Sequence, residues 1–152
     1  MDQPTVLSVN ISPGGIPKRP IGVGEVNADG IAGDGHNHEK HITPLQAVLL
    51  IDIEDIEDLR REGYRVYPGA MGENLTCRGL DADALRAGDR LRFSGGLVLE
   101  ITKPRKPCYV LDAIDPVLKK IIVGRAGMYA RVIEARPIRA GETIELLQPV
   151  VS

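Results

Sequence analysis

Turn-forming residues divide this chain into short segments, and that division limits the folds open to it. Glycine (17) and proline (11) together supply 28 of the 152 residues, and both residue types concentrate in tight turns. Between the turns lie short runs of β-branched and aliphatic residues, which favour strands. The predicted strands cover residues 6–11, 21–26, 46–51, 91–93, 97–101, 129–133 and 143–147.

Two segments with helical periodicity interrupt these strands. The first follows Asp52, a candidate N-cap, repeats its apolar residues at helical spacing over residues 53–59 and stops at Gly63. The second follows Asp115, has a proline at its first helical position and stops at Gly124. Both segments are short, so we expect helical insertions in a β structure.

Residues 85–91 resemble residues 138–144, because each segment contains a turn made of a glycine and an acid, followed by an alternating strand. This internal similarity predicts two quasi-equivalent strand starts in one closed sheet. Strands and helices do not alternate regularly along the chain. The expected fold class is therefore mostly β and β-barrel-like, with a few short helices, in a single domain covering residues 1–152.

Charge and hydropathy argue against several functional classes. The net charge is −2 and aromatic residues make up 3% of the chain, which disfavours binding to nucleic acid. The longest apolar run, residues 47–51, is far shorter than the ~20 residues that cross a bilayer. The N-terminus lacks the features of a secretory signal. We therefore expect a cytoplasmic protein without a membrane role, in which Cys77 and Cys108 are free thiols.

The three histidines of the chain, His36, His38 and His41, fall within six residues, close to Asp34. Such a cluster favours a polar pocket wall that holds a metal ion or clamps an anion, since histidines two apart on a strand share a face. A solvated loop whose histidines bind nothing remains the alternative.

A second cluster surrounds Cys108. Lys103, Arg105 and Lys106 precede it within five residues, and nearby positive charge favours thiolate over thiol. A thiolate attacks sulfur, accepts a persulfide or ligates a soft metal. A small buried residue beside a solvated charge run is the alternative. Cys77, by contrast, is predicted to be a structural strand residue.

Two further segments offer ligand contacts. Glycines at positions 69 and 72 allow a ligand to approach the backbone closely, and Asn74 would orient it. Arg131 follows Gly127 on a predicted strand, where its planar guanidinium suits a phosphate. Each segment also has a structural explanation. The glycine segment would be an ordinary turn, and Arg131 would be an arginine on the surface of a strand.

Taken in order, residues 29–36, 71–75, 105–108 and 127–132 resemble the MOSC domain, named for the C-terminal domain of molybdenum cofactor sulfurase. The resemblance extends from about residue 8 to residue 147. Within the family, the chain is similar to the stand-alone bacterial form, the YiiM-like proteins. The resemblance implies a barrel like that of the MOSC and pyruvate-kinase-like folds. Two departures, Arg136-Pro137 and Glu142, lie away from these segments.

The resemblance also implies a function. Cys108 matches the cysteine that the family uses to carry sulfur as a persulfide or to ligate molybdenum, so it is the expected catalytic and metal-binding residue. The molybdenum cofactor (Mo-molybdopterin) is the expected cofactor, and a cysteine desulfurase, a molybdoenzyme or an electron donor is the expected partner. A homodimer is also compatible with the sequence. The residues expected to contact the cofactor are Asp34, His36, His38, Asn74, Lys103, Arg105 and Arg131.

Two other functions remain open at this point. The first is a molybdenum-dependent reductase of N-hydroxylated compounds that receives electrons from a separate carrier. The second is a non-catalytic metal-binding barrel built on His36, His38 and His41.

Overall fold

The computed structural model describes residues 3–14, 16–35, 44–106, 111 and 114–147. Strands dominate, as predicted. In chain order the elements are β1 (Thr5–Ile11), β2 (Arg19–Ile21), β3 (Val23–Gly24), β4 (Val26–Asn27), β5 (Gly30–Ile31), β6 (Val48–Asp52), α1 (Ile53–Arg61), β7 (Leu75–Arg78), β8 (Arg90–Phe93), β9 (Val98–Pro104), α2 (Leu118–Ile121), β10 (Met128–Glu134), β11 (Ile138–Arg139) and β12 (Ile144–Leu146). Short 3₁₀ helices occupy Pro44–Gln46 and Ala82–Ala84.

Eight strands form one sheet in the order β12-β8-β9-β10-β6-β7-β1-β2, and the pairs β11-β3 and β4-β5 lie apart from it. Neighbours in the large sheet are antiparallel except β6 and β7, which are parallel and connected through α1. This β-α-β unit was not expected from the sequence. A parallel pair needs a crossover connection, and the helix provides it.

The sheet is not closed into a barrel, so the expectation of one closed sheet was wrong and the fold is barrel-like only in a loose sense. Its two ends nevertheless meet. Thr5 forms an isolated bridge with Thr143, the Val6 amide donates to the Glu142 carbonyl at 2.8 Å, and the Gly141 amide donates to the Val6 carbonyl at 2.7 Å. The ladder does not continue because the second half of β1 pairs with β2 instead.

Two apolar clusters stabilise the sheet from opposite faces. One lies inside the curved sheet around Leu50, Phe93 and Leu99. The other packs α1 against the outer face of β6 through Ile51, Ile56 and neighbouring residues. All five residues of β6 are buried because both clusters cover that strand.

Local departures from the predicted elements have identifiable causes. The strand expected over residues 21–26 is divided among β2, β3 and β4. The first break falls at Gly22, and glycine within a strand weakens regular pairing. The second helix is confined to Leu118–Ile121, and the Asp115 carboxylate accepts the Val117 amide at 2.8 Å. Asp52 does precede α1, but its carboxylate accepts the amides of Asp81 and Ala82 instead of capping that helix.

The two similar segments adopt the same turn. In the first, the Asp89 carboxylate accepts the Arg86 amide at 2.8 Å, and in the second the Glu142 carboxylate accepts the Arg139 amide at 2.7 Å. The intervening Gly88 and Gly141 both have positive φ, 97° and 95°. The strands that follow, β8 and β12, are paired with each other. Among the described helices, none is long and apolar enough to cross a bilayer.

Candidate functional site

Asp34 lies at the centre of a buried polar cluster. Its carboxylate oxygens accept Lys18 Nζ at 2.6 and 2.7 Å. The same carboxylate accepts the Ser12 amide at 3.0 Å and Asn74 Nδ2 at 2.8 Å. Two predicted site residues, Asp34 and Asn74, are thus in direct contact although forty positions separate them in sequence. Lys18 was not predicted, because the sequence gives no sign that this lysine is buried.

Asn74 is held by the strands on both sides of β7. Its Oδ1 accepts the Leu49 amide at 3.0 Å, and its own amide donates to the Leu49 carbonyl at 2.9 Å. Its carbonyl accepts the Asn10 amide at 2.7 Å. The side chain therefore has a fixed orientation, with its NH₂ group directed at Asp34.

Arg105 joins two more of the predicted segments. Its guanidinium is buried and donates from Nη1 to the Met71 carbonyl at 2.5 Å. Its amide donates to the Gly127 carbonyl at 3.0 Å. Gly127 has φ 98°, and a Cβ there would lie 2.6 Å from the Leu50 carbonyl oxygen, so glycine is required at this contact. The chain that leads to Cys108 is therefore attached at Arg105.

Glu73 is a functional candidate that the sequence analysis missed. Its side chain is fully buried, and Oε2 accepts the Gly69 amide at 3.0 Å and Thr76 Oγ1 at 2.8 Å. Oε1 accepts no hydrogen bond from any residue that the structure describes. Burial raises the pKa of this carboxyl, against the opposing effect of these hydrogen bonds and of Arg105. The sequence signal that pointed to Glu73 was its position between Gly72 and Asn74, in a loop expected to contact a ligand.

The two other predicted cations form no ion pair with Asp34, whose described partner is Lys18. Lys103 is exposed near the end of β9 and forms no ion pair with any residue that the structure describes. Arg131 is half-exposed on β10 and pairs with Glu100 at 2.9 Å, and the same glutamate also binds Arg90. The guanidinium of Arg131 thus already has a carboxylate partner on the sheet surface.

His36, His38, His41 and Cys108 lie outside the described residues, so their contacts stay predictions. Over the described part of the chain, no group of three potential metal ligands comes together. Cys77 is fully buried in β7, as predicted for a structural residue. Burial, reinforced by nearby carboxylates, raises the pKa of this thiol, which disfavours its thiolate at neutral pH.

Comparison with known proteins identifies the family. The family model of the MOSC domain matches residues 37–145, and the chain belongs to the MOSC domain family. A reductase from Gibberella moniliformis is 33% identical over 132 residues, which cover 80% of this chain and 23% of that protein. The uncharacterized protein YflK from Bacillus subtilis is 37% identical over 82 residues, which cover 51% of this chain and 37% of YflK. The chain thus spans less than half the length of either relative.

Solved structures share the fold over nearly the whole chain. The YUAD protein from Bacillus subtilis superposes with a TM-score of 0.80 at 18% identity and covers 95% of this chain and 96% of that one. YiiM from Geobacillus stearothermophilus gives a TM-score of 0.75 at 24% identity, with 95% and 75% covered. YiiM from Escherichia coli gives 0.70 at 22% identity, with 98% and 70% covered. At these identities the likeness establishes the fold.

Proposed function

We propose that this protein binds the molybdenum cofactor or carries sulfur for it, with Cys108 as the reactive thiolate. One observation carries the proposal: hydrogen bonds join four segments that are distant in sequence, through Asp34–Asn74, Arg105–Met71 and Arg105–Gly127. These are the segments on which the resemblance to the MOSC family rests. The family is associated with the molybdenum cofactor.

The donor chemistry of the chain fits this cofactor. Molybdenum bound to sulfur favours a thiolate ligand, which Cys108 would supply. Lys103 and Lys106 are exposed on either side of the buried Arg105 and pair with no described acid, and we propose that both bind an anionic phosphate. Asn74, His36 and His38 would contact the pterin or the substrate. When bound, the cofactor would supply two-electron redox chemistry.

As a sulfur carrier, Cys108 would act by sulfur transfer. Its thiolate attacks the outer sulfur of a persulfide on a cysteine desulfurase and forms a new S–S bond. The S–S bond of the donor breaks, and the desulfurase cysteine leaves as a thiolate. Cys108 then carries the persulfide, with no net change in oxidation state between the two partners. The cations that precede Cys108 in the sequence, Lys103, Arg105 and Lys106, would favour the attacking thiolate. A free Cys108 thiol persists in a reducing compartment, so we propose a cytoplasmic location.

Metal and pterin analysis tests the cofactor proposal. The protein would be purified from a host that makes molybdopterin, and bound molybdenum and pterin would be measured. We expect the wild type to retain both and Cys108→Ser to lose most of the molybdenum. Lys103→Ala should lower the pterin content several-fold, whereas Lys120→Ala, an exposed cation on α2, should not. Equal and negligible contents in the wild type and Cys108→Ser would refute this version.

Persulfide labelling tests the carrier proposal. After incubation with a cysteine desulfurase and free cysteine, mass spectrometry should find an added sulfur atom on the Cys108 peptide. The Cys77 peptide provides an internal control, because that thiol is fully buried. An unlabelled Cys108 in protein that remains folded would remove the carrier function.

The relative from Gibberella moniliformis, which is called a reductase, favours a second candidate. In this version the protein reduces N-hydroxylated compounds. Conversion of a hydroxylamine to the amine and water consumes two electrons and two protons, and an electron-transfer protein must supply the electrons. Turnover of a hydroxylamine by cofactor-loaded protein with a chemical reductant tests this function. Product formation that is equal in the wild type and Cys108→Ser would argue against it.

A further inference from the structure

The outer surface of the sheet carries a long groove at its β7-β1-β2 end. Two clefts of about 650 Å³ and about 480 Å³ meet there, and both are lined by Leu7 and Pro68. α1 flanks the groove on one side, and residues 17–20 flank it on the other. We refer to this continuous surface as the Leu7 groove.

Apolar side chains form the floor of the Leu7 groove. Leu7 lies at a β-bulge, where the pairing of β1 with β7 shifts register between Val6 and Ser8. A bulge changes the direction of its side chain, and Leu7 is 36% exposed. Tyr67, 48% exposed, continues the apolar floor. Exposed apolar side chains that adjoin in a groove indicate an interaction surface.

The rim of the Leu7 groove is positively charged, although the whole chain has a net charge of −2. Arg60 and Arg78 line one cleft and Arg19 lines the other. None of these three arginines forms an ion pair with a residue in the described ranges, and all three are exposed. Arg61 also lines the cleft of Arg60 and Arg78, but it pairs with Asp58 and with Glu57, the acidic residue of the cleft lining. Within the part of the chain that the structure describes, the cations of the rim therefore outnumber the acids that pair with them, and they surround an apolar floor.

We propose that the Leu7 groove binds an acidic segment of a partner protein that inserts an aliphatic side chain beside Leu7 and Tyr67. The arginines would bind its carboxylates, because the planar guanidinium pairs well with this group. The segment would not extend the sheet, since β2 has only three residues and Pro20 at its centre has no N–H to donate. Recognition would thus depend on side chains.

A peptide titration tests this proposal on the full chain. The probe is a fluorescein-labelled peptide of four Asp-Glu-Leu repeats, followed by fluorescence anisotropy. We expect saturable binding that weakens as salt rises. The double variant Arg60→Ala/Arg78→Ala should weaken binding roughly threefold to tenfold, as expected for a few partly exposed ion pairs. Leu7→Ser should also weaken it, and a peptide with Ser in place of Leu should bind less well.

The control variant removes the same charge elsewhere. Arg139→Ala/Lys120→Ala replaces two exposed cations on β11 and α2, outside the Leu7 groove. It should leave the affinity within twofold of the wild type. Absence of saturable binding would overturn the proposal. An equal loss of peptide affinity in the two double variants would also overturn it, because it would show that the peptide is attracted by the overall charge of the protein. Circular dichroism would verify that each variant is folded.

Discussion

Burial controls the protonation of Glu73. The side chain is fully buried, and the pKa of its carboxyl is raised above 4.5. A carboxyl with a raised pKa contributes stability below its unfolded pKa and loses that contribution as the pH rises through its folded pKa. In Glu73→Gln, which is isosteric with the protonated acid, this pH dependence should disappear. At pH values between the unfolded and the folded pKa of Glu73, the free energy of unfolding of the wild type should fall relative to that of the variant. The slope should be up to about 1.4 kcal/mol per pH unit.

Urea denaturation at a series of pH values checks this prediction. Glu145→Gln serves as the control, since Glu145 is exposed and pairs with Arg92 on the surface. The Glu145→Gln substitution should change the free energy of unfolding by no more than about 0.5 kcal/mol across the series. Parallel curves for the wild type and Glu73→Gln would show that the Glu73 carboxyl has similar pKa values in the folded and unfolded states.

At the same scale, the sequence indicated some site residues and not others. Asp34 and Asn74 were selected for their chemistry, and the structure brings them into contact at 2.8 Å. Glu73 and Lys18 were overlooked, because a charged residue is ordinarily exposed and only the tertiary structure reveals its burial. Arg131 was expected at a phosphate, but its neighbour across the strand, Glu100, could not be deduced from local sequence.

At the scale of elements, α1 and the 3₁₀ helix at Ala82–Ala84 bring two carboxyls together. Burial and a hydrogen bond with Asp83 raise the pKa of Asp55 to about 8. The protonated form therefore stabilises the fold at low pH, and this contribution is lost as the pH rises from about 4 toward 8. At pH 9, Asp55→Asn should be more stable than the wild type by about 1 kcal/mol, discounted for solvent screening at this half-buried position.

Thermal denaturation at pH 5 and pH 9 measures the Asp55 effect. The advantage of Asp55→Asn should be small at pH 5, where the wild-type carboxyl is protonated. Asp58→Asn on the same helix should instead destabilise slightly at both pH values, because Asp58 is exposed and pairs with Arg61. An advantage of Asp55→Asn that is the same at both pH values would contradict the assignment.

The two similar turns make a quantitative comparison possible. Asp89 binds one backbone amide, that of Arg86. Glu142 binds two, those of Arg139 at 2.7 Å and Gly95 at 2.6 Å. Asp89→Ala should cost about 1 kcal/mol and Glu142→Ala about 2 kcal/mol in the free energy of unfolding, as measured in urea. Equal costs would mean that the contact with Gly95 contributes nothing.

At the scale of the whole molecule, the contact between the ends of the sheet should behave as stable structure. The amides of Val6, Gly141 and Ile144 donate across it. Hydrogen exchange at these amides should be slower than in an unfolded chain by a factor of about 10³ or more. The amide of Gly22, which donates to no described group, should exchange rapidly and serves as the reference. Rapid exchange at Val6 would show that the ends separate in solution.

The sequence by itself determined the local features of this protein. Residue preferences and periodicity over a few neighbouring positions were enough to predict four features. These are the strand-rich fold, the position of α1, the structural role of Cys77 and the repeated glycine–acid turn. Only the tertiary structure decided that β6 and β7 are parallel, that the sheet stays open, that Glu73 is buried and that Leu7 faces a groove. Each of these depends on pairing or burial between residues far apart in the chain, and no short stretch of sequence encodes such contacts.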